Sequence, residues 1–175
     1  MVNPEDLRGR KAPAFDLVDH NGNTFHFHPD HFGSPLVIFF FVGPGNNATT
    51  YQMGLMMQLY EQSQYPIRPG LRDSQNSKTL QVVGICPSKQ KSLAEQANSR
   101  KLRFPLLSDP DYVVASSFGA SRLFDRFVSK RASFVIDANG IVMELYTTPL
   151  AGVRSSSIDI ERHIRCIEET LNKIG

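Results

Sequence analysis

Pro35-Leu-Val-Ile-Phe-Phe-Phe-Val-Gly-Pro-Gly-Asn-Asn-Ala-Thr-Thr-Tyr51 joins two kinds of local structure without a break. Leu36 to Val42 is a continuous apolar run of aromatic and branched side chains, the pattern of a strand covered on both faces. From Pro44 the composition changes to turn residues. Ala48 to Gln62 then carries Met53, Met56, Met57, Leu59 and Tyr60 at mixed three- and four-residue spacing, which predicts a helix. A buried strand that turns directly into a helix is the building step of an α/β sheet.

Downstream, Tyr65 to Thr79 holds prolines, a glycine and many polar residues and reads as a long loop. It leads to a second buried strand, Leu80-Gln-Val-Val-Gly-Ile-Cys86, and then to an exposed helix over Lys89 to Arg100. Phe104 to Asp109 reads as a short strand and turn, and Asp111 to Phe118 as a helix. Arg131-Ala-Ser-Phe-Val-Ile-Asp137 and Ile141 to Tyr146 flank the turn residues Ala138-Asn139-Gly140, so they form a hairpin. Ser155 to Ile174 closes the chain as a helix, with Ser157 as N-cap and Ile160, Ile164, Ile167, Leu171 and Ile174 on one stripe. Upstream, Phe15 to His28 alternates apolar and polar residues about Asn21-Gly22, a strong short turn signal, and gives an N-terminal β-hairpin. The sum is a mixed central sheet flanked by helices, in a single domain over residues 1–175.

With 175 residues, 41% hydrophobic and 21% charged, the chain can bury one sizeable core. A formal net charge of +2 gives no reason to expect nucleic acid or an anionic membrane as partner. No apolar run approaches the roughly 20 residues of a spanning helix. Met1-Val-Asn-Pro-Glu-Asp6 lacks the basic-then-apolar pattern of a secretory signal, so a cytoplasmic location is expected. Cys86 and Cys166 are too few and too far apart for a disulfide framework or a Cys-x-x-Cys pair.

Taken in order, several segments resemble the thioredoxin-fold peroxiredoxins of the alkyl hydroperoxide reductase and thiol-specific antioxidant (AhpC/TSA) family. They are Ala12-Pro13-Ala-Phe15-Asp-Leu17, Leu36 to Phe41 with Pro44, Val82-Val-Gly-Ile85, Leu102-Arg-Phe-Pro-Leu-Leu-Ser-Asp109, Phe118-Gly119 and Arg131 to Asp137 with Gly140. The spacing of Phe-Pro-Leu-Leu-Ser-Asp before Arg-x-Ser-Phe-Val-Ile-Asp is the most specific part. The resemblance implies a thioredoxin-like fold of the peroxiredoxin type and commonly a homodimer. It also implies a Pro-x-x-x-Thr-x-x-Cys loop, in which a thiolate lowered in pKa by a helix N-terminus and an arginine attacks peroxide. Here Pro44 and Arg131 match that pattern, but the threonine position is Ala48 and the cysteine position is Tyr51. Gly54 departs as well, and no cysteine lies between Phe39 and Ile85.

What survives is an anion-binding corner. Free N–H groups of the helix start, around Ala48, Thr49, Thr50 and Tyr51, and the matched Arg131 could hold a carboxylate, phenolate or developing enolate oxygen. The Tyr51 phenol can donate a proton, and Met53 can line an apolar pocket. The expected function is therefore to bind a small oxygenated organic molecule at Pro44, Tyr51 and Arg131 and to transform it by isomerisation, dehydration or cyclisation. Two alternatives stand beside it. One is a thiol peroxidase using Cys86, which ends its strand at the same sheet edge. The other is an interaction protein that keeps only the fold. In all three readings no cofactor is expected. His26, His28 and His31 invite a metal reading, yet Phe25, Phe27 and Phe32 look like the buried side of this hairpin, so the histidines are expected solvated and without metal. The 65–79 loop is read as an inert surface insertion, a cover over the pocket or a dimer contact.

Overall fold

Leu36–Phe40 (β3) is buried at every position, as an apolar run covered on both faces must be. The computed structural model describes residues 2–41, 43, 47–64, 79–120, 131–148 and 157–174, with backbone alone at 47, 48, 64, 131, 148, 157–159 and 174. The long loop expected over 65–79 falls almost wholly outside these residues, as does Pro44.

The other strands are Phe15–Asp19 (β1), Thr24–Phe27 (β2), Gln81–Cys86 (β4), Leu106–Ser108 (β5), Arg131–Ile136 (β6) and Val142–Thr148 (β7). All seven form one sheet in the order β2-β1-β5-β4-β3-β6-β7. The centre is parallel: β3 pairs with β4 in the register Phe40↔Ile85, and β4 pairs with β5. The flanks are antiparallel, β6 against β3 and each hairpin within itself. This is the expected mixed sheet with an N-terminal hairpin. The joining of that hairpin to β5, through Val18↔Ser108 and Asp19↔Leu107, was not readable from local pattern.

Because side chains alternate along a strand, the sheet divides the core in two. On one face Val37, Phe39, Phe41, Val82, Cys86, Leu106 and Val135 pack under three helices, Asn47–Gln64 (α1), Gln90–Arg100 (α2) and Ser157–Ile174 (α4). On the other, Leu36, Ile38, Phe40, Val83, Ile85 and Phe134 meet Phe15 and Phe27 of the hairpin and Val113–Ser117 (α3). Met53 and Met56 are fully buried in the first layer, where Ile160, Ile164 and Ile167 of the predicted stripe also turn inward. The predicted N-cap Ser157 is the first residue of α4.

Two helices differ from expectation. The helix after β4, expected to be exposed, buries Leu93, Gln96 and Ala97 on the sheet, because their spacing puts them on one face. The expected Asp111–Phe118 helix shortens to Val113–Ser117. Tyr112 takes a left-handed backbone, φ 56°, and the buried Asp109 carboxylate accepts from the N–H groups of Val114 (3.3 Å) and Ala115 (2.8 Å), setting the start at that point. At the N-terminus, residues 9–12 run beside β7: Gly9 N–H donates to the Val142 carbonyl, Val142 N–H to that of Arg10, and Ala12 N–H to that of Gly140.

Candidate functional site

The carboxyl ends of β3 and β4 and the start of β6 share one edge of the sheet. Phe41 N–H donates to the Ile85 carbonyl (3.1 Å), so Cys86 follows immediately beside the exit of β3. Beyond it, a Cβ on Gly43 would stand 3.4 Å from Ser88 Oγ, so the loop after β4 touches the turn that leads into α1. Arg131 precedes Ala132, the partner of Phe40, and its backbone therefore lies at this same edge. The topology thus brings Cys86 and the backbone of Arg131 to the edge at which the chain leaves β3.

The individual side chains have distinct surroundings. Thr49 is buried, and exposed Thr50 accepts from an Arg100 terminal nitrogen at 2.9 Å. Arg100, at the end of α2, is thus a cation at the first turn of α1 that the sequence reading missed. Its Nε is buried without a hydrogen-bond partner among the described residues. Only juxtaposition of α2 with α1, invisible to local pattern, could have revealed it. Tyr51 is half-buried, and its hydroxyl donates to Glu161 of α4. That acceptor carboxylate, then burial, then the Glu161 charge hold the phenol above its ordinary value near 10. Met53, expected as pocket lining, is enclosed in the core under α1. The side chains of Ala48 and Arg131 lie outside the described atoms.

Cys86 is 2% exposed. Burial pushes its thiol up; hydrogen bonds from the Ser88 side chain and from Ser88 N–H (3.4 Å) oppose this, and the Asp109 charge adds a smaller upward push. The residue packs against Phe40, Phe41, Pro87, Asp109, Tyr112 and Ala115 with no room left for a water molecule. Cys166 on α4 is half-buried, and its carbonyl accepts from Tyr146 (2.9 Å). No described helix is long and apolar enough to cross a membrane.

Comparisons with known proteins fit this geometry. Residues 69–145 match the AhpC/TSA family. A Mycobacterium tuberculosis protein assigned to the peroxiredoxins is 33% identical over 150 residues, covering 82% of this chain and 87% of its own. A Haemophilus influenzae protein with the same assignment is 31% identical over 155 residues, covering 83% and 88%. Among solved structures, peroxidoxin BcpB of Mycobacterium tuberculosis superposes with a TM-score of 0.74 at 25% identity, covering 96% of this chain and 97% of that one.

Proposed function

Because the chain belongs to the peroxiredoxin (AhpC/TSA) family, we propose that it is a divergent thiol peroxidase whose reacting sulfur is Cys86. The observation that carries this reading is the place of Cys86: a thiol at the carboxyl end of a parallel strand, beside the point where the chain leaves β3 and Gly43 approaches Ser88. In the proposed step the Cys86 thiolate attacks one peroxide oxygen. An S–O bond forms, the O–O bond breaks, and the departing alkoxide or hydroxide takes up a proton. The resulting sulfenic acid condenses with an external thiol to a mixed disulfide and water, and a second thiol releases Cys86. Ser88 N–H stabilises the thiolate, but burial keeps its population small, so turnover is slow. A cytoplasmic location suits this chemistry, since reduced thiols are supplied there. A homodimer accompanies the reading.

The test is peroxide consumption with dithiothreitol or thioredoxin, together with mass-spectrometric trapping of sulfenic acid by dimedone. The proposal expects turnover and adduct that vanish in Cys86→Ser and persist in Cys166→Ser. Equal consumption by wild type and Cys86→Ser would remove it.

A second reading rests on the cation at α1. Arg100, whose terminal nitrogen donates to Thr50, favours binding of an anionic oxygen at this helix start. There a small oxygenated molecule would be held; the isomerisation, dehydration or cyclisation expected from the sequence is not supported, because the relatives are peroxiredoxins and the Tyr51 hydroxyl is already donated to Glu161. A thermal shift by such a ligand, abolished in Arg100→Ala, with no peroxide turnover in the wild type, would favour it over the first.

A further inference from the structure

The outer face of the β1–β2 hairpin brings together three donors outside the Cys86 site. Asp16 and His26 are direct partners in the antiparallel register, and His28 lies two residues beyond His26 on the same face. All three are exposed, and one donor atom of each lies within 4.8 Å of the other two. Asp16 Oδ1 is 2.7 Å from His26 Nδ1 and 3.4 Å from His28 Nε2. His31 is the third donor that linear spacing suggests; the strand register supplies Asp16 instead.

We propose that Asp16, His26 and His28 form a binding site for a divalent first-row transition metal, with Zn²⁺ as the reference ion. Zinc binds imidazole nitrogen and carboxylate oxygen at about 2.0–2.2 Å, which for a tetrahedral arrangement spaces the donors about 3.4 Å apart. The Asp16–His28 pair already has that spacing. The Asp16–His26 pair opens by about 0.7 Å to reach it. Because the side chains are exposed, rotation about their own bonds accomplishes this without moving the backbone.

The platform beneath is rigid. Phe15, Phe25, Phe27 and Phe32 pack ring on ring under the hairpin, with centroids 5.2–6.2 Å apart. The ordering cost of assembling the ligands is correspondingly small. Two imidazoles and one carboxylate suit zinc, copper, nickel or cobalt, whereas magnesium and calcium require mainly oxygen donors. Three protein ligands leave coordination positions for water or for a ligand group, so the bound ion is a Lewis-acid site open to solvent.

The experiment uses the full, tag-free chain, stripped with chelator and returned to metal-free buffer. Zn²⁺ is titrated by calorimetry and Co²⁺ by its visible absorption. One equivalent is expected to bind, with affinity falling at least tenfold in each of Asp16→Asn, His26→Ala and His28→Ala and unchanged in His31→Ala and Cys166→Ser. Unaltered thermal midpoints of the metal-free variants show that they remain folded. Absence of saturable uptake overturns the site. So does uptake unchanged in the His26→Ala/His28→Ala double variant, or loss in the histidine variants with Asp16→Asn unaffected. None of these readouts depends on peroxide chemistry.

Discussion

Gly84→Ala tests how tightly the thiol-bearing strand is seated. Gly84 of β4 lies across from Phe39 and Leu106 in the parallel ladders, on the same side of the sheet as Cys86. A Cβ at Gly84 would stand 2.6 Å from Phe39 Cζ and 2.8 Å from Leu106 Cδ2. Carbon atoms rest at about 3.5–4.0 Å, so the ring must retreat by about 1 Å. It has little room to do so. Phe39 is fully buried, packed on Phe41 and edge-on to Phe104, each 5.6 Å away. Overpacking of this kind costs about 1–3 kcal/mol. A cost of about 2 kcal/mol in a chain of this length lowers Tm by about 4–8 °C. Thermal unfolding followed by circular dichroism reads it directly. In a Phe39→Leu background, where the ring is gone and the Leu106 contact remains, the same change should cost less. A Tm within 1 °C of wild type (about the resolution of such a melt) would refute the reasoning. An equal loss in both backgrounds would show that the strain does not come from Phe39.

Two further predictions concern titration. Burial raises the Cys86 pKa, so the neutral thiol is favoured and the thiolate is scarce at neutral pH. Alkylation of Cys86 should therefore keep accelerating above the ordinary thiol range near 8.5, followed by mass spectrometry; a plateau below that range would contradict the burial argument. Glu161 stabilises the protonated phenol of Tyr51, so the ionisation isolated as the ultraviolet difference between wild type and Tyr51→Phe should lie above 10. Glu161→Gln, read against a Glu161→Gln/Tyr51→Phe control, should move it down, and an unmoved titration would discount the hydrogen bond.

Much of the architecture follows from one-dimensional pattern. The run at Leu36–Phe40 could be stable only inside a sheet, and it is the buried centre. Asn21-Gly22 fixed the first hairpin, where Gly22 takes φ 89°. Features that depend on long-range juxtaposition were not legible. The pairing of β1 with β5, the approach of Arg100 to Thr50 and the gathering of Asp16 with two histidines each join residues that no local period relates. At the candidate site, the rule for parallel strands placed Cys86 at the carboxyl end of its strand, where it lies. Sequence could not foresee that Tyr51 is engaged by α4 or that Cys86 is almost completely enclosed.

The strip of chain from Gly9 to Ala12 has a consequence beyond the stability it adds. Its hydrogen bonds to Gly140 and Val142 occupy the outward-facing backbone groups where β7 begins. Clipping the protein just before Phe15 would strip this lining and leave a bare sheet margin. Such a margin accepts extended segments of other chains, so proteolysis at that point would convert a self-contained molecule into an adhesive one.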